Sequence, residues 1–183
     1  MSLLRFCEWL ASTSASIALH ESQYIFLAVL TVHVLTLSVL VGTAVMLDLR
    51  LLGWTLRRVP ASEVIARLLP WTGGGFVVMI ASGALLFYAA PVQRYQNLFF
   101  RFKMLTLVLV VVNAWIFHRT VYRSVMDWDL DPVPPGAVRV AGGVSLALWA
   151  MMITLGRMIP YQAYWFDCAK QPQSAILNLL MGC

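Results

Sequence analysis

The sequence predicts an all-α integral membrane protein, a four-helix bundle with short amphipathic terminal segments, and three observations predict it. Of 183 residues, 61% are hydrophobic and 11% charged, with a mean hydropathy of +0.80; a domain that must solvate its surface does not reach such values. Four apolar runs are each long enough for a crossing, which takes about 20 residues at about 1.5 Å each. The thirteen Lys and Arg are scattered singly around the ends of those runs, where cations anchor and orient helices at the headgroups. The net charge of +5 is therefore no basic reading surface. Nucleic acid is not an expected partner; the lipid bilayer is, and the whole chain reads as one transmembrane domain.

Residues 2–19 are too short and Ser-rich to span and suit a helix lying on the membrane surface. They lack the apolar core and cleavage site of a secretory signal. The first span, about residues 24–47, ends in Asp48-Leu49-Arg50-Leu51-Leu52-Gly53-Trp54, where charge and an interfacial Trp mark the membrane surface. The second, about 71–90, follows Pro70, a residue suited to a helix start. The third, about 99–118, opens with Arg101 and Lys103, whose long side chains snorkel outward. The fourth, about 137–159, stops at Pro160, which cannot continue a helix. The acidic, Pro-rich stretch 127–136 reads as a connector, and residues 176–181 as a second surface segment. Internal repeats, low-complexity tracts, a phosphate loop and a Ser, His and acid set are all missing, so an autonomous enzyme is not expected.

Four spans put both termini on one face, here side A, opposite side B. Side A carries Arg5, Arg94, Arg101, Lys103, Arg157 and Lys170; side B carries Arg50, Arg57, Arg58, Arg67, Arg119, Arg123 and Arg139. Cys7, Cys168 and Cys183 all fall on side A. An oxidising compartment would let Cys168 and Cys183 close the tail into a loop, worth about 3 kcal/mol. Side B is accordingly expected to be cytoplasmic, with both termini periplasmic. Small residues mark expected contact faces: Ser38 and Gly42, Gly75 and Ser82, and the stripe Gly143, Ala147, Ala150 and Thr154. The third span, lacking such a stripe, is expected to meet the others through larger side chains.

The chemistry centres on His33, about nine residues into the first span and so roughly 14 Å below side A. An ionisable side chain at that depth needs a partner. Three readings stand: a core histidine bonded to Thr36, Asn113 or Ser82, a ligand to haem iron, or a proton or ion relay. Haem b would be held without covalent attachment, since no Cys-x-x-Cys-His is present. His118 is the first candidate for the second axial position, although counting puts it roughly 21 to 28 Å from side A; Met79, or His33 of a second copy, is closer in depth. Arg101, Lys103 and Arg157 crowd the side A helix ends, where propionates could find cations. Asp48 is expected to pair with Arg119 or Arg139.

The run "HVLTLSVLVGTAVMLDLRLLG" at 33–53 resembles a bacterial inner-membrane family of unknown function with four predicted helices. "LLPW" at 68–71, "FFRFKM" at 99–104, "NAWIFH" at 113–118 and "LGRMIPY" at 155–161 extend the likeness over essentially the whole chain. The resemblance implies the fold and an importance for His33. Where the family places an acidic residue three before that histidine, this chain has Leu30, which weakens a proton relay; members without a match to His118 count against an obligatory pair. Two functions are expected. One is a small b-type cytochrome passing electrons between a quinone or dehydrogenase and another partner. The alternative is a haem-free subunit that anchors a larger membrane complex or homo-oligomer. A transporter ranks third, because no span is broken by an internal Pro and no intramembrane carboxylate is evident.

Overall fold

The computed structural model describes residues 3–166. Among the described residues no strand occurs, and four helices are long and apolar enough to cross a membrane. Helices α1 (Leu3–Ala11) and α2 (Ser14–Glu21) come first, α2 capped by Thr13, whose side chain accepts from Ser16 N. The first spanning helix, α3 (Gln23–Leu51), opens on Ser22, whose hydroxyl accepts from Ile25 N, a cap that satisfies one of the orphan donors of the first turn. Next come α4 (Ala61–Ala89) and the short α5 (Pro91–Tyr95). The third spanning helix, α6 (Leu98–Ile116), continues into a π-turn at Phe117–Val121 and a 3-10 turn at Tyr122–Ser124. After α7 (Val125–Trp128), α8 (Gly136–Met158) returns across the bundle, followed by a 3-10 turn at Ile159–Tyr161 and α9 (Gln162–Trp165).

Two boundaries differ from the sequence expectation. Pro70 lies inside α4 rather than at its start. It removes only the bond to the carbonyl of Ala66, an exposed residue near the membrane surface, where water can meet a freed carbonyl. The amphipathic N-terminal stretch is two helices, not one, and it is pinned to the bundle. Thr13 Oγ1 lies 2.7 Å from Tyr88 Oη, and Ser16 Oγ donates to Tyr88 O at 2.7 Å.

The bundle runs up and down, with α3 packed along α4 on one side and α8 on the other, and α6 packed along α8. Gly75 permits the first contact: a Cβ there would come 3.3 Å from Leu40 Cβ. Gly142 permits the second, where a Cβ would come 3.1 Å from both Asp48 O and Leu51 Cβ. The third span was expected to meet the others through larger side chains; its backbone lies close along α8, whereas toward α4 it does meet its neighbour that way. Aromatic side chains bridge that side, Phe87 stacking on Phe100 with centroids 5.7 Å apart. Leu40, Ala44, Val110, Trp149 and Met152 form the central core, with Phe76 and Met79 packed against it. Ser38 and Gly42, an expected contact face, point outward: both are exposed, and a Cβ on Gly42 would meet nothing within 4 Å.

Candidate functional site: His33 and the bonds that orient it

His33 stands ten residues into α3, about 15 Å along its axis, and is half-buried. Of its three expected partners the structure selects Ser82 on α4, with Nδ1 2.8 Å from Ser82 Oγ. The Ser82 hydroxyl also donates to Val78 O at 2.7 Å. A carbonyl has no hydrogen to give, so the single hydroxyl proton is committed there, and the bond to the ring requires His33 to donate from Nδ1. Nε2 is then left with a bare lone pair. Asn113 is occupied elsewhere, its Nδ2 donating to Ala141 O at 3.3 Å. Ser82 is a turn away from Met79 on α4, and its neighbour Gly83 gives the ring its space: a Cβ at position 83 would come 3.4 Å from His33 Cε1.

Lys103 of α6 reaches inward to the same region. Its Nζ lies 3.5 Å from where a Cβ on Gly156 would stand, and its charge acts on the imidazole of His33. Arg94 of α5 acts on Lys103 in turn, and burial holds the Arg94 guanidinium below its ordinary range. Among the described residues neither Lys103 nor Arg94 forms an ion pair with a carboxylate. Two like charges gathered in a partly buried site, facing a base, form a place where an anionic group is favoured. Sequence reasoning named Lys103 and missed Arg94, because Arg94 reads as an ordinary interfacial cation until α5 folds it back.

The other cations expected near His33 are engaged at the rim. Arg101 Nε donates to Tyr95 O at 2.7 Å, and its guanidinium lies over the Tyr95 ring at 4.5 Å. Arg157 lies over the Tyr161 ring at 5.8 Å. His118 is not brought to His33: it sits exposed in the π-turn after α6, stacked on Tyr122 with centroids 5.0 Å apart. It lies 20 residues past the start of α6, hence about 30 Å along it against about 15 Å for His33. Cys168 and Cys183 lie outside the described residues.

At the side B end a second polar constellation holds the bundle's loops. Arg50 is wholly buried and donates from Nε to Val59 O and from Nη2 to Asp129 O, both at 3.1 Å. The Asp129 carboxylate in turn caps α4 from outside its own segment, accepting from Ser62 N at 2.7 Å and Ser62 Oγ at 2.8 Å. The acidic connector is thus a clasp, and Asp129 was invisible as such because its partner lies 67 residues away. Asp48 is buried where α8 closes on α3 at Gly142, its Oδ2 meets no hydrogen-bond partner, and neither the expected Arg119 nor Arg139 pairs with it among the described residues. Gly53, which ends the "DLRLLG" run, has φ +72°, and a Cβ there would come 3.1 Å from Pro132 O and Pro134 Cδ. Both the left-handed turn and the close approach require glycine.

No curated protein and no solved structure matches the chain. The model of a family of unknown function (DUF6644) matches residues 7–162, which include all four spanning helices, and the chain belongs to that family.

Proposed function

We propose that this multi-pass membrane protein is a small b-type cytochrome-like electron-transfer subunit of a bacterial inner membrane, with haem b held by His33. The observation that carries the reading is the commitment of Nδ1–H to Ser82. Histidines that ligate metals characteristically donate their other ring N–H to a fixed acceptor, which sets the tautomer and the ring plane. When bound, haem supplies a one-electron couple whose potential the protein tunes. In this reading His33 would hold the iron through Nε2 with Ser82 fixing the ring, and Lys103, backed by Arg94, would hold a carboxylate of the macrocycle. Arg101 and Arg157 stay at the rim. His118 lies too far along α6 to share this site, so a second ligand would have to be Met79 or His33 of a second copy, both closer to His33 in depth. Quinone is the electron partner that suits a site within the bilayer.

Reduced-minus-oxidised spectra of the detergent-purified protein, expressed with ample haem supply, test the proposal. A Soret band is expected in wild type and in His118→Ala and should vanish in His33→Ala. A band that survives His33→Ala overturns the ligand; no band in any of them overturns the cytochrome.

A second reading, a haem-free subunit of a larger membrane complex, is favoured by one observation. Ser38, Gly42, Gly73 and Gly74 are exposed small residues of spanning helices, a Cβ at any of the three glycines would meet nothing within 4 Å, and the Ser38 hydroxyl is turned back onto Val34 O of its own helix; small outward faces let a foreign helix approach closely. Cross-linking from Gly42→Cys in native membranes would capture such a helix. For orientation, side B is taken as cytoplasmic and Cys168 and Cys183 as paired in the periplasm. Impermeant thiol labelling of intact cells and non-reducing peptide mapping check both.

A further inference from the structure

A groove of about 390 Å³ opens at the side B end between α3 and α4, lined by Met46, Val59, Val64 and Leu68 with Arg58 and Arg67 at its mouth. We infer that this groove is a binding site for one anionic phospholipid, its phosphate held by Arg58 and Arg67 and an acyl chain laid against Met46, Val64 and Leu68. The site is independent of His33, which lies thirteen residues before Met46 on α3, about 20 Å along its axis.

Charge argues for an anion. Arg67 is ion-paired to Glu63 at 2.6 Å with both side chains well exposed, so that pair is neutral as a unit. Arg58 is exposed and has no hydrogen bond or ion pair among the described residues. One positive charge is therefore uncompensated at the mouth, which matches the single negative charge of a phosphodiester. Arg67 keeps free donors after its bond to Glu63, since a guanidinium offers five in a planar fork. Arg57 is not available in the same way, because its Nε is turned back onto Gly53 O.

Shape and position argue for a lipid rather than a soluble anion. The apolar lining Met46, Val64 and Leu68 belongs to two spanning helices, and Met46 is 49% exposed on the outer surface of α3, where an acyl chain from the bilayer can reach it. Trp54, two residues before Leu56 of the groove wall and 65% exposed, suits the headgroup level, where indole prefers to sit. Basic pockets between spanning helices at that level recognise phospholipid head groups. Leu56, at the groove wall, holds φ +52°, an uncommon state for a branched residue.

Native mass spectrometry of the full chain in detergent, titrated with phosphatidylglycerol or with phosphatidylcholine of the same acyl chains, tests the inference. Phosphatidylglycerol is expected to bind about tenfold more tightly. The preference should disappear in Arg58→Ala/Arg67→Ala and persist in Arg139→Ala, an exposed side B cation outside the groove. Should the double variant misfold, Arg58→Glu alone, at an exposed side chain, must abolish the preference. Equal binding of the two lipids, or a preference untouched by either groove variant, overturns the site. Displacement of phosphatidylglycerol by inorganic phosphate reassigns the mouth to a free anion and also overturns it.

Discussion

His33 Nδ1 lies 2.8 Å from Ser82 Oγ, and this bond between α3 and α4 decides which ring nitrogen is open to a ligand. The hydroxyl proton is spent on Val78 O, so the imidazole donates and Nε2 accepts. Ser82→Ala removes the acceptor and frees the ring to turn. On the proposed haem reading, haem affinity of the purified protein, measured by titration, is expected to fall about 10- to 100-fold while the helical content stays unchanged. Affinity equal to wild type would mean that Ser82 does not orient the ligand.

Arg50 is the least replaceable side chain at side B. Arg50→Ala takes the buried guanidinium from Val59 O and leaves Asp129 O with Ala61 N alone, a loss of about 1–3 kcal/mol. Arg50→Lys restores the charge but cannot reach both carbonyls, and about half the loss should remain. Thermal unfolding in one detergent orders the three proteins wild type, Lys, Ala; a Lys variant as stable as wild type would show that the fork geometry is irrelevant.

Gly53→Ala combines a left-handed φ of +72° with a Cβ 3.1 Å from Pro132 O and Pro134 Cδ. The conformation costs about 1–2 kcal/mol and the clash about as much again, since a backbone oxygen and a proline ring cannot swing aside. The same unfolding assay should place Gly53→Ala well below Gly73→Ala, where a Cβ meets nothing within 4 Å.

Cys7 is only 2% exposed, and burial, with a smaller contribution from Glu8, raises its thiol above the ordinary value of 9.0. A raised pKa lowers the thiolate fraction at every pH below it, and thiolate is the reactive form. Iodoacetamide should therefore modify Cys7 much more slowly in the folded protein than after denaturation, with the folded rate climbing only as pH passes the ordinary thiol range. Equal rates at pH 8 would show that α1 does not hold the thiol against the bundle.

Four spans and their order could be read from the chain alone, because hydrophobic length is a local sum that needs no knowledge of neighbours. His33 stood out for the same reason, as the cost of burying an imidazole in hydrocarbon does not depend on which helix packs beside it. What its ring touches was open among Thr36, Asn113 and Ser82 until helix rotation and depth were set, and those follow from Gly75 closing on Leu40 and Gly142 closing on Leu51. The same packing placed Pro70 within α4 and turned Ser38 and Gly42 outward. It also joined Asp129 to Ser62 and Arg50 across long stretches of chain. Residue types and spacings encode which groups must find partners; only the tertiary structure decided which partners they found, because a hydrogen bond depends on ångström-scale proximity between helices that no one-dimensional pattern specifies.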